Sequence, residues 1–366
     1  MIAEKENPMK FRSLIGVASG LAIAVATAFP ALAVPTGDLI TVNPTGGQTT
    51  SDGLKLEIAF GQIQIGRNGS GQMYSDEDIP DPTNSEVMSN YFVVAVNDGT
   101  NTTLIGSTEN SSGTPASLLD SLAWDSFTSE SALTDSDRSG TVTNHLVYGS
   151  GATEVKLDVT WTYTYPNQYF NVKADLTLGS AYAGQSHRIY WFTDSYLEGS
   201  DEGNQFGGIT PAGKEVAGVV SLPGTQIEAF RQVSGQSLKW YAGEYECPYT
   251  DYDAENCGVE VAEGGFLGNF LDFPNVSAPG TNIDNGFGVN SPVSTAATES
   301  ITFDLLFASC LDGVSPLPCA DEATGDDKNL PNTGSDATAM GISAAVIVAL
   351  IALGLAMTAI RRRRSA

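Results

Sequence analysis

Three features of the 366-residue sequence predict a mainly β protein whose folded region is a large antiparallel β-sandwich. Glycine, Thr, Ser, Val, Tyr and Asn are frequent while lysine is scarce, and this composition favours strands and turns over helices. Apolar and polar residues alternate in many short stretches, as they do in half-buried strands. Clusters of Gly, Asn and Pro separate those stretches, as turns separate the strands of a sandwich.

The alternation is clear near the start of the folded region, where Leu54, Leu56 and Ile58 share one face before Gly61 interrupts the pattern. Turns at 149–151 and 166–167 predict hairpins between neighbouring strands. A helix is expected only at 117–122. The predicted strands are 54–60, 63–65, 91–96, 141–148, 154–165, 169–178, 188–193, 216–220, 226–232, 237–241 and 301–308.

The region 35–309 contains no composition shift and no repeat of fixed period that would divide it. One large two-sheet domain over residues 34–319 is therefore expected, followed by a short acidic linker at 320–329. The alternative is a pair of smaller sandwiches that meet near 180–185.

The C-terminal tail has three parts in a fixed order. Residues 330–334 read Leu-Pro-Asn-Thr-Gly, residues 339–360 are an apolar run without a charge, and four arginines follow at 361–364. A helix over the apolar run would be about 33 Å long, enough to cross a hydrocarbon core. The arginines would hold the tail, 361–366, in the cytoplasm by the positive-inside bias.

This tail resembles the cell-wall sorting signal of Gram-positive surface proteins, the sortase substrates. The resemblance implies that a membrane transpeptidase recognises Leu330 and Pro331 and cuts between Thr333 and Gly334. An amine of a peptidoglycan precursor would then take Thr333, so that the chain ends in the cell wall on the outer face of the bacterium. The alternative is a single-pass membrane protein that is never cleaved.

The N-terminus has the features of an export signal. Lys10 and Arg12 precede an apolar stretch at 14–29, and Ala-Leu-Ala at 31–33 is a small-x-small cleavage site. Residues 1–33 are therefore predicted to be a signal peptide that is removed between Ala33 and Val34. An uncleaved N-terminal anchor is the alternative.

The product of both cleavages, residues 34–333, carries 10 basic and 40 acidic side chains, a net charge of −30. A surface this acidic repels nucleic acid and anionic lipid, which excludes both as expected partners. It also attracts cations.

All four cysteines lie in the predicted exported region, where thiols can oxidise. Three pairings are formally possible, and the spacing favours two local bridges, Cys247–Cys257 and Cys310–Cys319. A metal site is a poor alternative because no C-x-x-C motif occurs and the two histidines lie far from the cysteines in sequence.

One segment matches the first half of a calcium loop. Asp135, Asp137 and Ser139 alternate before Gly140, and their oxygens could converge on calcium in a tight turn. The twelfth position is Leu146 instead of an acidic ligand, which departs from the EF-hand pattern. An Asp- and Ser-rich hairpin turn is the alternative.

A second segment combines acids with aromatic residues. Trp191, Asp194, Glu198, Asp201 and Glu202 follow one another at the end of a predicted strand. Rings to stack on sugars and carboxylates to bond their hydroxyls are what a glycan site needs. A solvated acidic loop has the same composition, so sugar binding, cation binding and a plain loop stay open.

The sequence contains no nucleophile elbow in the exported region, and neither a P-loop, an HExxH motif nor a dinucleotide fingerprint. We therefore expect a non-enzymatic, wall-anchored β-sandwich protein with a structural or adhesin-like binding role. Its expected partners are sortase, a peptidoglycan precursor and a glycan or surface ligand. The alternative is a wall-tethered carbohydrate-active enzyme or carbohydrate-binding protein.

Overall fold

A computed structural model of the chain describes residues 39–49, 51–59, 61–66, 72–73, 90–107, 121–233, 235–278 and 283–311. Within these ranges the protein is mainly β, with antiparallel sheets. The helical segments are short: α1 (Ala254–Cys257), α2 (Gly265–Gly268) and two 3-10 turns at Gly151–Thr153 and Ser180–Tyr182.

The strands, in chain order, are β1 (Ile40–Val42), β2 (Lys55–Ala59), β3 (Gln62–Gly66), β4 (Gln72–Met73), β5 (Asn90–Asn97), β6 (Thr102–Ser107), β7 (Leu122–Ala123), β8 (Ser126–Thr134), β9 (Ser139–Tyr148), β10 (Val155–Tyr163), β11 (Tyr169–Leu178), β12 (Ser186–Tyr196), β13 (Gly203–Ile209), β14 (Glu215–Ser221), β15 (Ile227–Gln232), β16 (Lys239–Glu244), β17 (Val276–Ser277), β18 (Asn285–Asn290) and β19 (Thr298–Ala308).

These strands form two large sheets and one small sheet. The first large sheet has the order β13-β14-β15-β19-β11-β10-β9-β8, and the second has the order β17-β16-β18-β12-β5-β6-β7, with β4 paired to β12. Strands β1, β2 and β3 form the small sheet. Neighbours pair antiparallel except β6 with β7 and β16 with β17, which are parallel. Both large sheets contain strands from either side of 180–185.

The hairpin of β10 and β11 shows why these residues form strands. Val155, Leu157, Val159 and Trp161 alternate with polar residues and are buried on one face, as the pleat requires. The predicted turn at 166–167 sets the antiparallel register, in which Trp161 lies opposite Val172. The predicted bounds of β11 agree with the structure, and those of β10 differ by one and two residues at its ends.

One hydrophobic cluster takes side chains from both large sheets and from the small sheet. Phe92 of the second sheet contacts Trp161 of the first with ring centroids 6.1 Å apart, and Trp191 contacts Phe303 at 5.3 Å. Buried aromatic pairs of this kind add to the free energy gained by burying apolar surface. The arrangement of two sheets around a shared core is consistent with the predicted β-sandwich.

A second cluster covers the opposite face of the second sheet. Tyr190, Phe192 and Tyr241 pack there against Phe266 and Phe273 of the segment that follows β16. The Cys247–Cys257 disulfide closes the first loop of this segment, which confirms that prediction. Cys310 is also disulfide-bonded, while Cys319, its predicted partner, lies outside the described residues.

Every predicted strand that falls on described residues is present, but several strands are missing from the prediction. Strand β8 is polar because it is the edge strand of the first sheet. Strands β13 and β18 are rich in glycine, which has low strand propensity. In β13, a Cβ on Gly207 would lie 2.0 Å from Cη2 of Trp240, so close packing explains the glycine. The helix predicted at 117–122 is wrong at its end, where Leu122 begins β7.

The predicted signal peptide, linker, sorting motif, membrane span and basic tail all lie outside the described residues. No helix within the described ranges is long and apolar enough to cross a membrane.

Candidate functional site

The candidate site lies where β12 ends and the chain turns back into β13. Leu197 and Ser200 form two backbone hydrogen bonds, of 3.0 and 3.2 Å, around a two-residue turn. The central residues, Glu198 and Gly199, have φ angles of 53° and 86°. A tight hairpin turn requires such positive φ values, which glycine adopts without cost and glutamate rarely adopts.

The Glu198 side chain holds this turn against a neighbouring hairpin. Its carboxylate accepts a hydrogen bond from the Thr225 hydroxyl at 2.7 Å and a second from the hydroxyl of Ser221, the last residue of β14. Hydrogen bonds to a carboxylate are stronger than those between neutral groups, so they can offset the unfavourable backbone. Glu198, a predicted ligand residue, therefore has a positioning role in the structure.

A pocket of about 340 Å³ opens beside this turn. Its lining is polar and acidic, and consists of Tyr196, Gly199, Ser200, Asp201, Glu202 and Asp284. Two of the predicted ligand residues, Asp201 and Glu202, therefore lie on a pocket, together with a residue more than 80 positions later in the chain.

Backbone contacts bring these distant residues together. Glu202 and Asp284 form an isolated antiparallel bridge, and the Asn285 N–H donates to the Asp201 carbonyl at 2.9 Å. On the other side, the Tyr245 N–H donates to the Asp284 carbonyl at 3.0 Å. The ends of β12, β16 and β18 therefore converge on one place in the second sheet.

Four carboxyl groups lie at this convergence, and we refer to Asp194, Asp201, Glu244 and Asp284 as the acidic cluster. Burial, and then the nearby charges of Asp284, Asp201 and Glu244, raise the pKa of Asp194 to about 8. Burial and the charge of Asp284 raise the pKa of Glu244 to about 7. The pKa of Asp284 rises to about 6 for the same kinds of reason, and that of Asp201 is also raised.

Within the described ranges, the acidic cluster has no cationic partner. None of the ion pairs found among the described residues includes any of its four members. Oδ1 of Asp194, Asp201 and Asp284 is in each case buried and has no hydrogen-bond partner among the residues that the structure describes. Asp194 itself is only 5% exposed, so the solvated loop that was one of the open alternatives does not include it. Buried carboxylate oxygens without partners are costly, so this place is electrostatically unusual.

A further carboxylate reaches the same region from the opposite sheet. Glu228 of β15 is fully buried, and burial together with the charge of Asp194 raises its pKa well above the ordinary value. The nearby Ser195 hydroxyl lowers the pKa of Glu228 and so offsets a part of this rise. Neither Glu228 oxygen, however, has a partner at normal hydrogen-bond geometry in the described part of the protein.

Trp191 does not line the pocket. It is fully buried on the inner face of β12, between Phe287 and Phe303, with ring centroids 5.6 and 5.3 Å away. Side chains of a strand alternate between its two faces. Trp191 therefore points into the core, whereas Asp194, three residues later, points away from it. The ring that the sequence offered for sugar stacking is therefore not presented to a ligand here.

The predicted calcium loop is the turn of the β8–β9 hairpin. The Asp135 carboxylate accepts a hydrogen bond from the Arg138 guanidinium at 2.8 Å, and the Ser139 hydroxyl accepts one from the Tyr165 N–H at 2.9 Å. The Asp137 carbonyl accepts the Asn43 N–H at 2.7 Å, which ties the turn to β1. Two of the three predicted ligand side chains thus already have polar partners.

Sequence reasoning missed Glu228, Glu244 and Asp284. Each is an acid at or beside an apolar or glycine-rich strand, and an acid in such a position is a weak sign of burial.

No group of three or more His, Cys, Asp or Glu side chains in the described part of the chain is placed to hold a metal ion together.

Comparison with known proteins does not assign this chain to a family. No protein-family model matches the sequence, and no curated protein resembles it at a significant level.

Proposed function

We propose that this chain is an exported surface protein that is covalently anchored to peptidoglycan and has a structural or ligand-binding role. The single observation that carries the proposal is the order of the tail: Leu-Pro-Asn-Thr-Gly, then an uncharged apolar run, then four arginines. The proposal includes a signal peptide at 1–33, a β-sandwich ectodomain and a membrane helix at 339–360.

Sortase would supply the chemistry, and the chain would be its substrate. A thiolate of the enzyme attacks the Thr333 carbonyl carbon, the bond to Gly334 breaks, and an amine of the peptidoglycan precursor then displaces the thiol. The helix and arginines would hold the motif at the membrane face until this step. The described strands, from Ile40 to Ala308, all lie between the two proposed cleavage points, which supports the proposal.

Fractionation of cells that carry Thr333→Ala tests the anchoring. We expect this variant to stay in the membrane fraction, because the scissile bond would no longer be recognised. Asn332→Ala is the matched control, since the sorting motif leaves this position free, and it should reach the wall. Recovery of the Thr333→Ala protein from purified wall at the normal level would refute the proposal.

A carbohydrate-binding role is the second candidate, and one groove favours it. A cavity of about 480 Å³ lies along the edge strands β13 and β17. Trp240, Asn275, Glu215 and Ser277 are in its lining, together with the exposed Ile209. An aromatic ring beside amide, hydroxyl and carboxylate groups can recognise a sugar.

A glycan-array screen of the exported protein tests this second candidate. A specific signal that Glu215→Gln and Asn275→Ala both reduce would support it. Leu222→Ala, an exposed apolar position outside the groove, is the control. The same glycans, incubated with the protein and analysed for cleavage, would separate binding from hydrolysis.

A further inference from the structure

We propose that the free edge of β13 binds an extended, basic segment of a partner protein, which pairs with this edge as an additional strand and fills the groove between β13 and β17. The partner supplies the ligand for the binding role given above, so the inference rests on that proposed function. It competes with a glycan for the same groove.

The hydrogen bonds of β13 show which of its backbone groups are free. In the described part of the chain, β13 is the last strand of the first sheet and pairs only with β14. The Thr210 N–H donates to the Lys214 carbonyl at 2.8 Å, and bonded pairs alternate along an antiparallel ladder. The N–H and C=O groups of Gln205, Gly207 and Ile209 therefore point away from β14. None of the backbone hydrogen bonds that the described residues form outside the strand ladders uses these groups.

The sequence of β13 does not protect this edge against pairing with another strand. Natural edge strands are very short or carry charges, prolines or bulges. Strand β13 has seven residues without a charge or a proline, and its register with β14 is unbroken. By contrast, the edge strand β8 carries Glu130, and the edge strands β7 and β17 have two residues each. The free edge of β13 is therefore the one best suited to accept a strand among those that the structure describes.

The groove beside this edge has room for an extended segment. Its cavity of about 480 Å³ is bounded by residues 207–209 on one side and by residues 275–277 on the other, with Trp240 between them. The wall at Asn275 is held in place, because its amide oxygen accepts the Trp240 N–H at 3.0 Å and its own N–H donates to the Trp240 carbonyl at 2.7 Å. A groove that is already formed requires little ordering when a ligand binds.

Charge selects the partner. Glu215 is the one ionisable residue among the described residues that line the groove. It lies opposite Ile209 in the ladder, so both side chains project from the same face, at the end of the groove where Ile209 is exposed. A lysine or arginine of the ligand can pair with this carboxylate. A second copy of the chain is disfavoured, because it brings the same net charge of −30 in the predicted exported region.

Backbone and side chains of the ligand would have separate roles. Backbone hydrogen bonds to the free edge add affinity for any extended sequence, whereas alternate side chains provide specificity. Those that face the groove would contact Ile209 and Val276, which favours β-branched apolar residues. The preferred ligand is therefore a segment in which such residues alternate with polar ones and a basic residue lies at an end.

Fluorescence anisotropy of a labelled pentapeptide, Lys-Val-Thr-Val-Lys with blocked termini, tests the proposal with the full-length chain in detergent. We expect saturable binding to the wild type. Ile209→Pro should weaken it by about fivefold or more, because proline removes an N–H that would donate to the ligand. Proline is tolerated at an edge position whose N–H faces solvent, so the fold should persist. Ile209→Val, the matched control, keeps the donor and should bind within about twofold of the wild type.

N-methylation of the peptide tests the backbone pairing without any change to the protein. Methyl groups are placed on alternate amides in two complementary patterns, so that one pattern blocks the amides that face β13 and the other blocks those that face solvent. The first should abolish binding and the second should retain it. Undiminished affinity with both patterns would overturn the proposal, and so would a wild type that does not bind the unmodified peptide.

Glu215→Gln tests the selection by charge. Its affinity for the basic peptide should fall by about twofold to fivefold at low salt, and about 0.5 M sodium chloride should remove the difference. Leu222→Ala, an exposed position outside the groove, should bind like the wild type. Equal affinity of the wild type for the acidic peptide Glu-Val-Thr-Val-Glu would contradict the proposed basic partner.

Two other occupants of the groove would also overturn the proposal. A dimer that sedimentation detects, and that Ile209→Pro dissociates, would assign the edge to a second copy of the chain. Binding of a glycan in the groove without binding of the peptide would assign it to sugars. Purified chain is used in each assay, so failure to bind the peptide leaves wall anchoring intact, whereas recovery of Thr333→Ala from the wall refutes anchoring alone.

Discussion

Two acid-rich regions of this protein look alike in sequence and differ in structure. At the β8–β9 turn, the Asp135 carboxylate is exposed and paired with Arg138. In the acidic cluster, Asp194 is buried beside other acids and forms none of the ion pairs found in the described part of the chain. The spacing of acids along the chain therefore says little about function. Burial and missing partners distinguish a site from a solvated turn.

The largest expected difference between the two regions is in their effect on stability as a function of pH. The pKa values of Asp194 and Glu228 are raised on folding, so between about pH 4 and about pH 8 the folded state binds more protons than the unfolded state. The free energy of unfolding should therefore fall as pH rises through this window, by about 1.4 kcal/mol per pH unit for Asp194. Glu228 should contribute a fall of the same sign. Urea unfolding in EDTA at a series of pH values measures it. A flat or rising profile would contradict the comparison.

Glu228→Gln isolates the most deeply buried of these groups. The neutral amide removes the need to bind a proton or to bury a charge, so at about pH 8 the free energy of unfolding should rise by about 1–3 kcal/mol. The difference from the wild type should shrink as the pH falls below 4.5, because Glu228 then becomes protonated in the unfolded state as well as in the folded state. The same measurement on Glu57→Gln, an acid that is ion-paired with Lys55, should show no such gain.

Glu198→Ala should have a smaller effect of the opposite sign. It removes the hydrogen bonds from the Thr225 and Ser221 hydroxyls and leaves alanine at a φ of 53°, so we expect a loss of about 1–2 kcal/mol. Glu198→Gly separates the two causes, because glycine relieves the backbone and still lacks the carboxylate. If Glu198→Ala unfolds like the wild type in urea, the carboxylate does not hold the turn.

Asp135→Asn should have the smallest effect. Asparagine tolerates the positive φ of this position, and the lost ion pair with Arg138 is exposed and screened by solvent. Its unfolding curve in urea should overlay that of the wild type. A clear loss of stability would mean that the turn contributes more than its exposed contacts indicate.

The sequence predicts well those strands in which apolar and polar residues alternate regularly. Strands β10 and β11 have a strict alternation of apolar and polar residues, and a Pro-Asn turn sets their pairing. The prediction fails at β13 and β18, because glycine carries no hydrophobic pattern. The packing of Trp240 on Gly207 becomes evident only when both strands, β13 and β16, are in place.

The candidate site could be predicted only in part. Asp201 and Glu202 stood out as acids after an aromatic strand, and both line the pocket. Asp284 and Glu244 could not be assigned to it, because only long-range pairing of β16, β18 and the 201–202 segment brings them there. Trp191 was misleading for a related reason: local pattern does not say which face of a doubly covered strand meets a ligand.

The most direct test of the account is an NMR titration of the Asp194 side-chain carboxyl in EDTA. Buried beside Asp284, Asp201 and Glu244, it should titrate with a pKa of about 8, while Asp98, whose carboxylate accepts turn N–H groups from Thr100 and Asn101, should titrate below 3.8. A pKa for Asp194 near 3.8 would mean that its charge is already compensated, which would contradict the account.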